Sequence, residues 1–205
     1  MNAPLSTLIG LTGGIASGKS TAAQYLGRLG ARLVDCDRLG HRAYDPGTAS
    51  FDAVRETFGD DVVGADRSID RRALGEKVFG KPGEMKKLTD IVWPEIGRLA
   101  REQIAAAQPG DITVMEAAVL FEAGWTNGLD EIWVVVADPE VAVRRTMARD
   151  GLDETAVRKR IASHLANEER AARADVVIDN SGDLDALHRQ LDAQWQRLLE
   201  PRRVS

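Results

Sequence analysis

Apolar residues recur along this chain in two rhythms. Short apolar-rich runs have the length of strands: Leu8-Ile9-Gly10-Leu11, Arg32-Leu33-Val34, Ile112-Thr113-Val114-Met115, Glu131 to Ala137, and Asp175-Val176-Val177-Ile178. The run from Ile132 to Val136 has no polar break, which suits a strand buried on both faces. Elsewhere the apolar positions return every three or four residues, the period of a helix laid against a core. Lys19 to Leu29 reads as one such helix, with Gly30 where a left-handed residue would end it. Asp138-Pro139-Glu140 opens another with a cap, a first-turn proline and an acid near the positive end. A further helix follows Asp153. On the last helix, Leu184, Leu187, Leu191, Trp195 and Leu198 form one stripe, which predicts core packing.

From about His41 to Arg101 the strand signal nearly vanishes. Gly47, Gly59, Gly64, Pro82 and Pro94 are expected to break this stretch into short helices. Residues 1–7 read as a loose lead-in. Strands alternating with helices predict an α/β fold with a five-stranded sheet. Its core spans about 1–40, 102–137 and 174–200. A helical insertion takes about 41–101 and a second helical segment about 138–173.

One stretch converts this frame into chemistry. Gly13-Gly14-Ile15-Ala16-Ser17-Gly18-Lys19-Ser20 fits G-x-x-x-x-G-K-[ST] at every fixed position, between a strand and a helix. Glycines let backbone N–H groups turn inward on a phosphate without a Cβ in the way. The helix N-terminus adds unpaired donors and partial positive charge. Lys19 would bridge the β- and γ-phosphates of a nucleotide, and the Ser20 hydroxyl would hold Mg²⁺.

Carboxylates gather where open parallel sheets bind ligands, just past the strands. Asp35 and Asp37 follow the second strand. They point to opposite sides if strand geometry continues, or else they cap a helix at Arg38. Glu116 and Glu122 follow the third strand, and both are candidates for a metal-side acid. The insertion is basic in places, including Arg67, Arg71, Arg72, Lys77, Lys81, Lys86 and Lys87, and its cations can hold an anionic acceptor. Arg144, Arg145, Arg149, Arg158, Lys159 and Arg160 lie on two helices between core strands. Such a pair can close over transferring phosphates as a lid.

Composition trims the alternatives. The chain has 205 residues and a net charge of −5, which argues against broad nucleic-acid binding. The single cysteine, Cys36, allows no internal disulfide and reads as a small packed residue. No apolar run reaches membrane-spanning length and no signal-like start is present, so the expectation is a cytoplasmic protein. Asp37-Arg38-Leu39-Gly40 matches the Asp-x-x-Gly of nucleotide switches, but no Asn-Lys-x-Asp run that would read guanine occurs.

An ordered set of stretches is more specific than the loop alone. It comprises Leu11 to Thr21, Asp35-Cys36-Asp37, Ile69-Asp70-Arg71 with Leu74, Val78-Phe79, Leu120-Phe121-Glu122, Arg145 to Asp150, and Val177-Ile178-Asp179-Asn180. In these the chain resembles the dephospho-coenzyme A kinases over about Leu8 to Leu199. The resemblance implies a P-loop, nucleoside-monophosphate-kinase-like fold with a coenzyme-A-binding helical subdomain and a lid. It implies transfer of the γ-phosphate of ATP to the 3′-hydroxyl of dephospho-coenzyme A, with Mg²⁺. Asp37 matches the position read as the base, and Asp37, Arg71 and Leu120 fall to the acceptor. Gly14, Ile15, Ala16, Ser17, Gly18, Lys19, Ser20 and Thr21 hold ATP. Arg149, with Arg145 nearby, matches the lid arginine, and Asn180 a residue beside the adenine. A monomer or weak homo-oligomer is expected. Departures are Ala16 for a common Gly, Trp93-Pro94 for His-Pro, Glu116-Ala117-Ala118 for Asp-x-Pro, and His164 for a common Gln.

Overall fold

The structure is a computed structural model, and it describes residues 6–200. Of the predicted lead-in at 1–7, residues 1–5 lie outside them, and Thr7 already opens the first strand. In chain order the elements are β1 (Thr7–Gly13), α1 (Lys19–Leu29), β2 (Arg32–Asp35), α2 (Cys36–Arg42), α3 (Ala49–Phe58), α4 (Arg71–Val78), α5 (Pro82–Ala105), β3 (Ile112–Glu116), β4 (Glu131–Val136), α6 (Pro139–Asp150), α7 (Glu154–Ala162), α8 (Asn167–Ala171), β5 (Val176–Asp179) and α9 (Leu184–Leu199). The chain divides into two compact units, of which the second is Asp35–Ala106.

The first unit is built on a five-stranded parallel sheet in the order β2-β3-β1-β4-β5. Ile9 pairs with Val114 on one side, and Leu11 with Trp133 on the other. Every strand end predicted from the apolar runs falls within two residues of its observed place. Helices α1 and α9 share one buried cluster with the sheet, through Ala22, Ala23, Leu26, Leu187, Leu191 and Trp195. β4 is buried along Trp133, Val134 and Val135, as its unbroken run requires. The α9 stripe holds from Leu187 to Leu198, but Leu184 is 57% exposed. Leu184 occupies the first helical turn, where it lines a surface cavity instead of the core.

The second unit is helical. α2, α3 and α4 pack against α5, burying Leu39, Phe51, Val54, Leu74, Val78, Val92 and Ile96. Thr48 caps α3 by accepting from Phe51 N, and Asp70 caps α4 by accepting from Arg72 N and Ala73 N. Cys36 is buried, as expected for a small packed residue.

Two local expectations are corrected. Pro94 does not end a helix; it lies inside the 24-residue α5. Proline removes one ladder bond and crowds the carbonyl four residues back, at Asp90, yet the buried stripe of Val92, Ile96, Gly97 and Ala100 runs past it. Burial of that face, not local propensity, keeps the helix continuous. Strand geometry also stops at Asp35. Its carboxylate accepts from Arg38 N at 2.8 Å as the N-cap of α2, and Asp37 sits in the first turn of that helix. The two acids are therefore a cap and an exposed first-turn carboxylate, not opposite sides of a strand.

Candidate active site

The glycine loop leaves β1 at the carboxyl edge of the sheet, where the strand order changes direction between β1 and β4. Its turn is closed by Ser17 N donating to Gly14 O at 3.2 Å. Gly18 caps α1 in a left-handed conformation, φ 92°, and no side chain caps that terminus. The first amides of α1 are thus left for a ligand. Space explains the glycines as well as conformation does. A Cβ on Gly13 would come within 2.5 Å of Val135 O, and one on Gly18 within 2.0 Å of Asn180 Nδ2. Ala16 has φ 53°, a left-handed backbone that costs an L-residue about 1 kcal/mol.

Two functional side chains at the start of α1 converge on one acid. Ser20 Oγ donates to Glu116 Oε1 at 2.6 Å. Lys19 Nζ lies 3.6 Å from the same oxygen, and both Lys19 and Glu116 are buried. Glu122, the other candidate acid, is committed elsewhere. It accepts from Arg170 Nη2 at 3.2 Å, and Arg170, 1% exposed, also donates to Leu165 O. Burial draws the Arg170 guanidinium down from its ordinary value, against the pull of Glu122 and Glu169.

Asn180 is buried and clamps the loop from β5. Its Nδ2 donates to Ser17 O at 2.8 Å. Its own carbonyl accepts from Arg145 Nη1 at 2.9 Å, which ties α6 to the loop's support. An open cavity of about 370 Å³ lies beside Gly18, Thr21, Arg145, Asn180 and Leu184. Ile15, with Gly14, lines a second cavity of about 230 Å³ that also meets α8. There Asn167 stands beside the loop. Its Oδ1 lies 2.9 Å from where a Gly14 Cβ would stand, and its Nδ2 donates to Ala137 O. No sequence pattern marked Asn167 or Arg170.

The residues present fit a nucleotide and a hard cation. Thr12 Oγ1, Ser17 Oγ and Asn180 Oδ1 are buried around the loop without a protein partner, which leaves hydrogen-bonding capacity for a ligand. Ser20 and Glu116 supply oxygen donors only, the set that Mg²⁺ prefers.

Apart from Arg145, the α6–α7 pair ties several of its cations to its own acids. Arg149 binds Asp150 through two hydrogen bonds, at 2.7 and 3.0 Å, and Arg160 Nη1 reaches the same carboxylate at 2.9 Å. The Arg149 hydrogen bond holds the Asp150 carboxyl below its usual range. Arg158 does the same to Glu140. Leu120 is fully buried, packed near Gly10 of β1. In the second unit Asp37 is exposed, and Arg71 lies over the Tyr44 ring, 5.8 Å from its centroid.

The family profile described as dephospho-CoA kinase (CoaE) matches residues 7–186. This chain belongs to the dephospho-CoA kinase family. A relative of that name from Geobacter sulfurreducens is 43% identical over 93% of this chain and 98% of its own length. Among solved structures, TT1252 from Thermus thermophilus superposes with a TM-score of 0.80 at 36% identity, over 96% of this chain and 99% of that one. A dephospho-CoA kinase from Campylobacter jejuni shares the fold at 22% identity, with a TM-score of 0.64 over 94% of this chain and 97% of its own.

Proposed function

We propose that this chain transfers the γ-phosphoryl group of ATP to the 3′-hydroxyl of dephospho-coenzyme A, giving coenzyme A and ADP. The observation that carries this reading is the convergence of Lys19 and Ser20 on Glu116 at the mouth of a glycine loop, in a member of this family. The loop amides and Lys19 hold the β- and γ-phosphates. The adenine takes the cavity beside Gly18, Asn180 and Leu184. Ser20 and Glu116 would hold Mg²⁺, which would supply positive charge against that of the phosphates.

The acceptor is a sugar hydroxyl, a weak nucleophile. Asp37 orients it and takes its proton as the new O–P bond forms. The bond from the γ-phosphorus to the bridging oxygen breaks, and ADP leaves with that electron pair. The α6–α7 pair acts as the lid, with Arg149 and Arg145 neutralising charge on the transferring group. Protein positioning and charge supply most of what such a reaction needs.

Incubation with ATP, Mg²⁺ and dephospho-coenzyme A, followed by mass detection, tests the activity. Coenzyme A and ADP should appear in equal amounts; ADP without coenzyme A would refute it. Asp37→Asn should lower kcat about 10²- to 10⁴-fold with KM for ATP near normal. Unchanged turnover would remove Asp37 from the base role.

A further inference from the structure

β5 is the last strand of the sheet, so one row of its backbone groups has no neighbouring strand to bond. At its final residue a side chain takes the neighbour's place. Gln190, half-buried on α9, accepts from Asp179 N through Oε1 at 3.0 Å and donates from Nε2 to Asp179 O at 2.7 Å. One amide thus makes both bonds that a paired strand would exchange with Asp179. Nε2 also donates to Ala186 O at 3.1 Å, which ties the side chain to the preceding turn of its own helix. Closing an edge against other chains needs only a charge or a proline. Two bonds to one residue do more, because they fix the peptide planes on both sides of Asp179.

Those planes carry the nucleotide side of the site. The next residue is Asn180, whose backbone N donates to Val136 O at 2.8 Å. Its side chain donates to Ser17 O, and its carbonyl receives Arg145. The fit leaves little slack, since Asn180 Nδ2 fills the place that a Gly18 Cβ would take. The Asp179 carboxylate extends the junction. It accepts from Ser181 N and Ser181 Oγ, and Ser181 Oγ in turn accepts from Asp138 N at the start of α6. The end of β5 therefore meets α9 on one side, and the glycine loop and α6 on the other.

We infer that Gln190 is a positioning residue for nucleotide binding. By fixing Asp179 it sets the reach of Asn180 to the Ser17 carbonyl. It sets with it the wall that Asn180 and Arg145 give the cavity beside Gly18. Gln190 lies outside the residues that line that cavity, so it acts through the strand end and not by touching a ligand. The inference rests on the proposed place of the adenine in that cavity.

Calorimetric titration with ADP tests it. Gln190→Leu nearly keeps the size of the side chain and removes both bonds to Asp179. The ADP dissociation constant should rise about three- to tenfold, the factor that a lost hydrogen bond or two carries. Gln190→Glu keeps an acceptor for Asp179 N and sets a carboxylate oxygen against Asp179 O. It should weaken ADP in the same way, which keeps the test readable should the leucine variant misfold. In an Asn180→Ala background either substitution should change the ADP constant less than twofold, because the route through Asn180 is gone. KM for dephospho-coenzyme A should stay within twofold of wild type. Unchanged ADP binding in both variants overturns the inference. So does an equal loss with and without Asn180, which would mark a general loosening of α9, or an equal rise in KM for dephospho-coenzyme A. The titrations need no phosphoryl transfer. Failure of the proposed activity shows separately, as wild-type protein that binds ADP and forms no coenzyme A.

Discussion

The cation of the glycine loop and the cations of the α6–α7 pair belong to one unit but are held in opposite ways. Lys19 is 8% exposed and fixed by the strand, loop and helix that carry it. The side chains of Arg149, Arg158 and Arg160 are 57%, 45% and 52% exposed and bound to acids of the same helix pair. The loop is held by its own backbone bond and by Asn180, and no side chain caps the first amides of α1. The helix pair keeps its charge in local ion pairs instead. Exposed pairs are worth only about 0–1 kcal/mol, so a phosphate, with more charge, can draw the arginines away. One region is preorganised; the other is charge in reserve.

Lys19→Ala should break the preorganised side most severely. Loss of one charged donor to a developing oxyanion costs about 10²- to 10³-fold in kcat. Single-turnover rates with dephospho-coenzyme A would show it, and full activity would deny the loop its role. Arg149→Ala should cost less, about 10- to 100-fold in kcat, as expected for a single charge-assisted hydrogen bond. KM for dephospho-coenzyme A should barely move. A change confined to that KM would assign Arg149 to the acceptor instead.

Asp150→Asn probes the reserve itself. It releases both Arg149 and Arg160 from their shared carboxylate while keeping its shape. If the ion pairs only store the arginines, kcat should change by less than about threefold, since exposed pairs contribute so little. The pH dependence has a definite sign. The Asp150 carboxyl is depressed below its ordinary 3.8. Its stabilising contribution is therefore complete above that value and is lost as pH falls through the depressed one. Between pH 6 and 9 the tie is intact, so any pH–rate change in that range must come from other groups. A kcat–pH profile of Asp150→Asn that differs from wild type there would contradict this.

The same contrast sets what the sequence made legible. The loop was readable because its chemistry is local: eight consecutive residues between a strand and a helix. The caps at Gly30, Asp138 and Asp153 were readable for the same reason. Contacts that bring distant segments together were not. Asn180 clamps Ser17 across 163 residues, and Glu116 reaches Ser20 across 96. The choice between Glu116 and Glu122 could not be made until strand register placed one beside α1 and gave the other to Arg170. Pro94 misled because local propensity says nothing of the face that α5 buries. The α8 helix, five residues long, is too short to show a period.

The smallest expected effect concerns His164, which borders the cavity shared by Gly14, Asn167 and Arg170. Burial is the main cause holding its imidazole below the ordinary 6.5, with Arg170 and Arg160 adding to the effect and Glu122 opposing it. The neutral form is favoured in the folded state. The unfolded chain therefore takes up the proton first as pH falls, and stability drops from about pH 7.5 toward 5.5. Much of this residue is open to solvent, which screens the charges and keeps the drop small. His164→Gln removes the titrating group and keeps a polar side chain of similar size. Thermal unfolding at pH 7.5 and 5.5 should show a larger fall in Tm for wild type than for the variant, by no more than about 2 °C. An equal fall in both would mean that burial and the arginines around this cavity leave the His164 imidazole as it is in water.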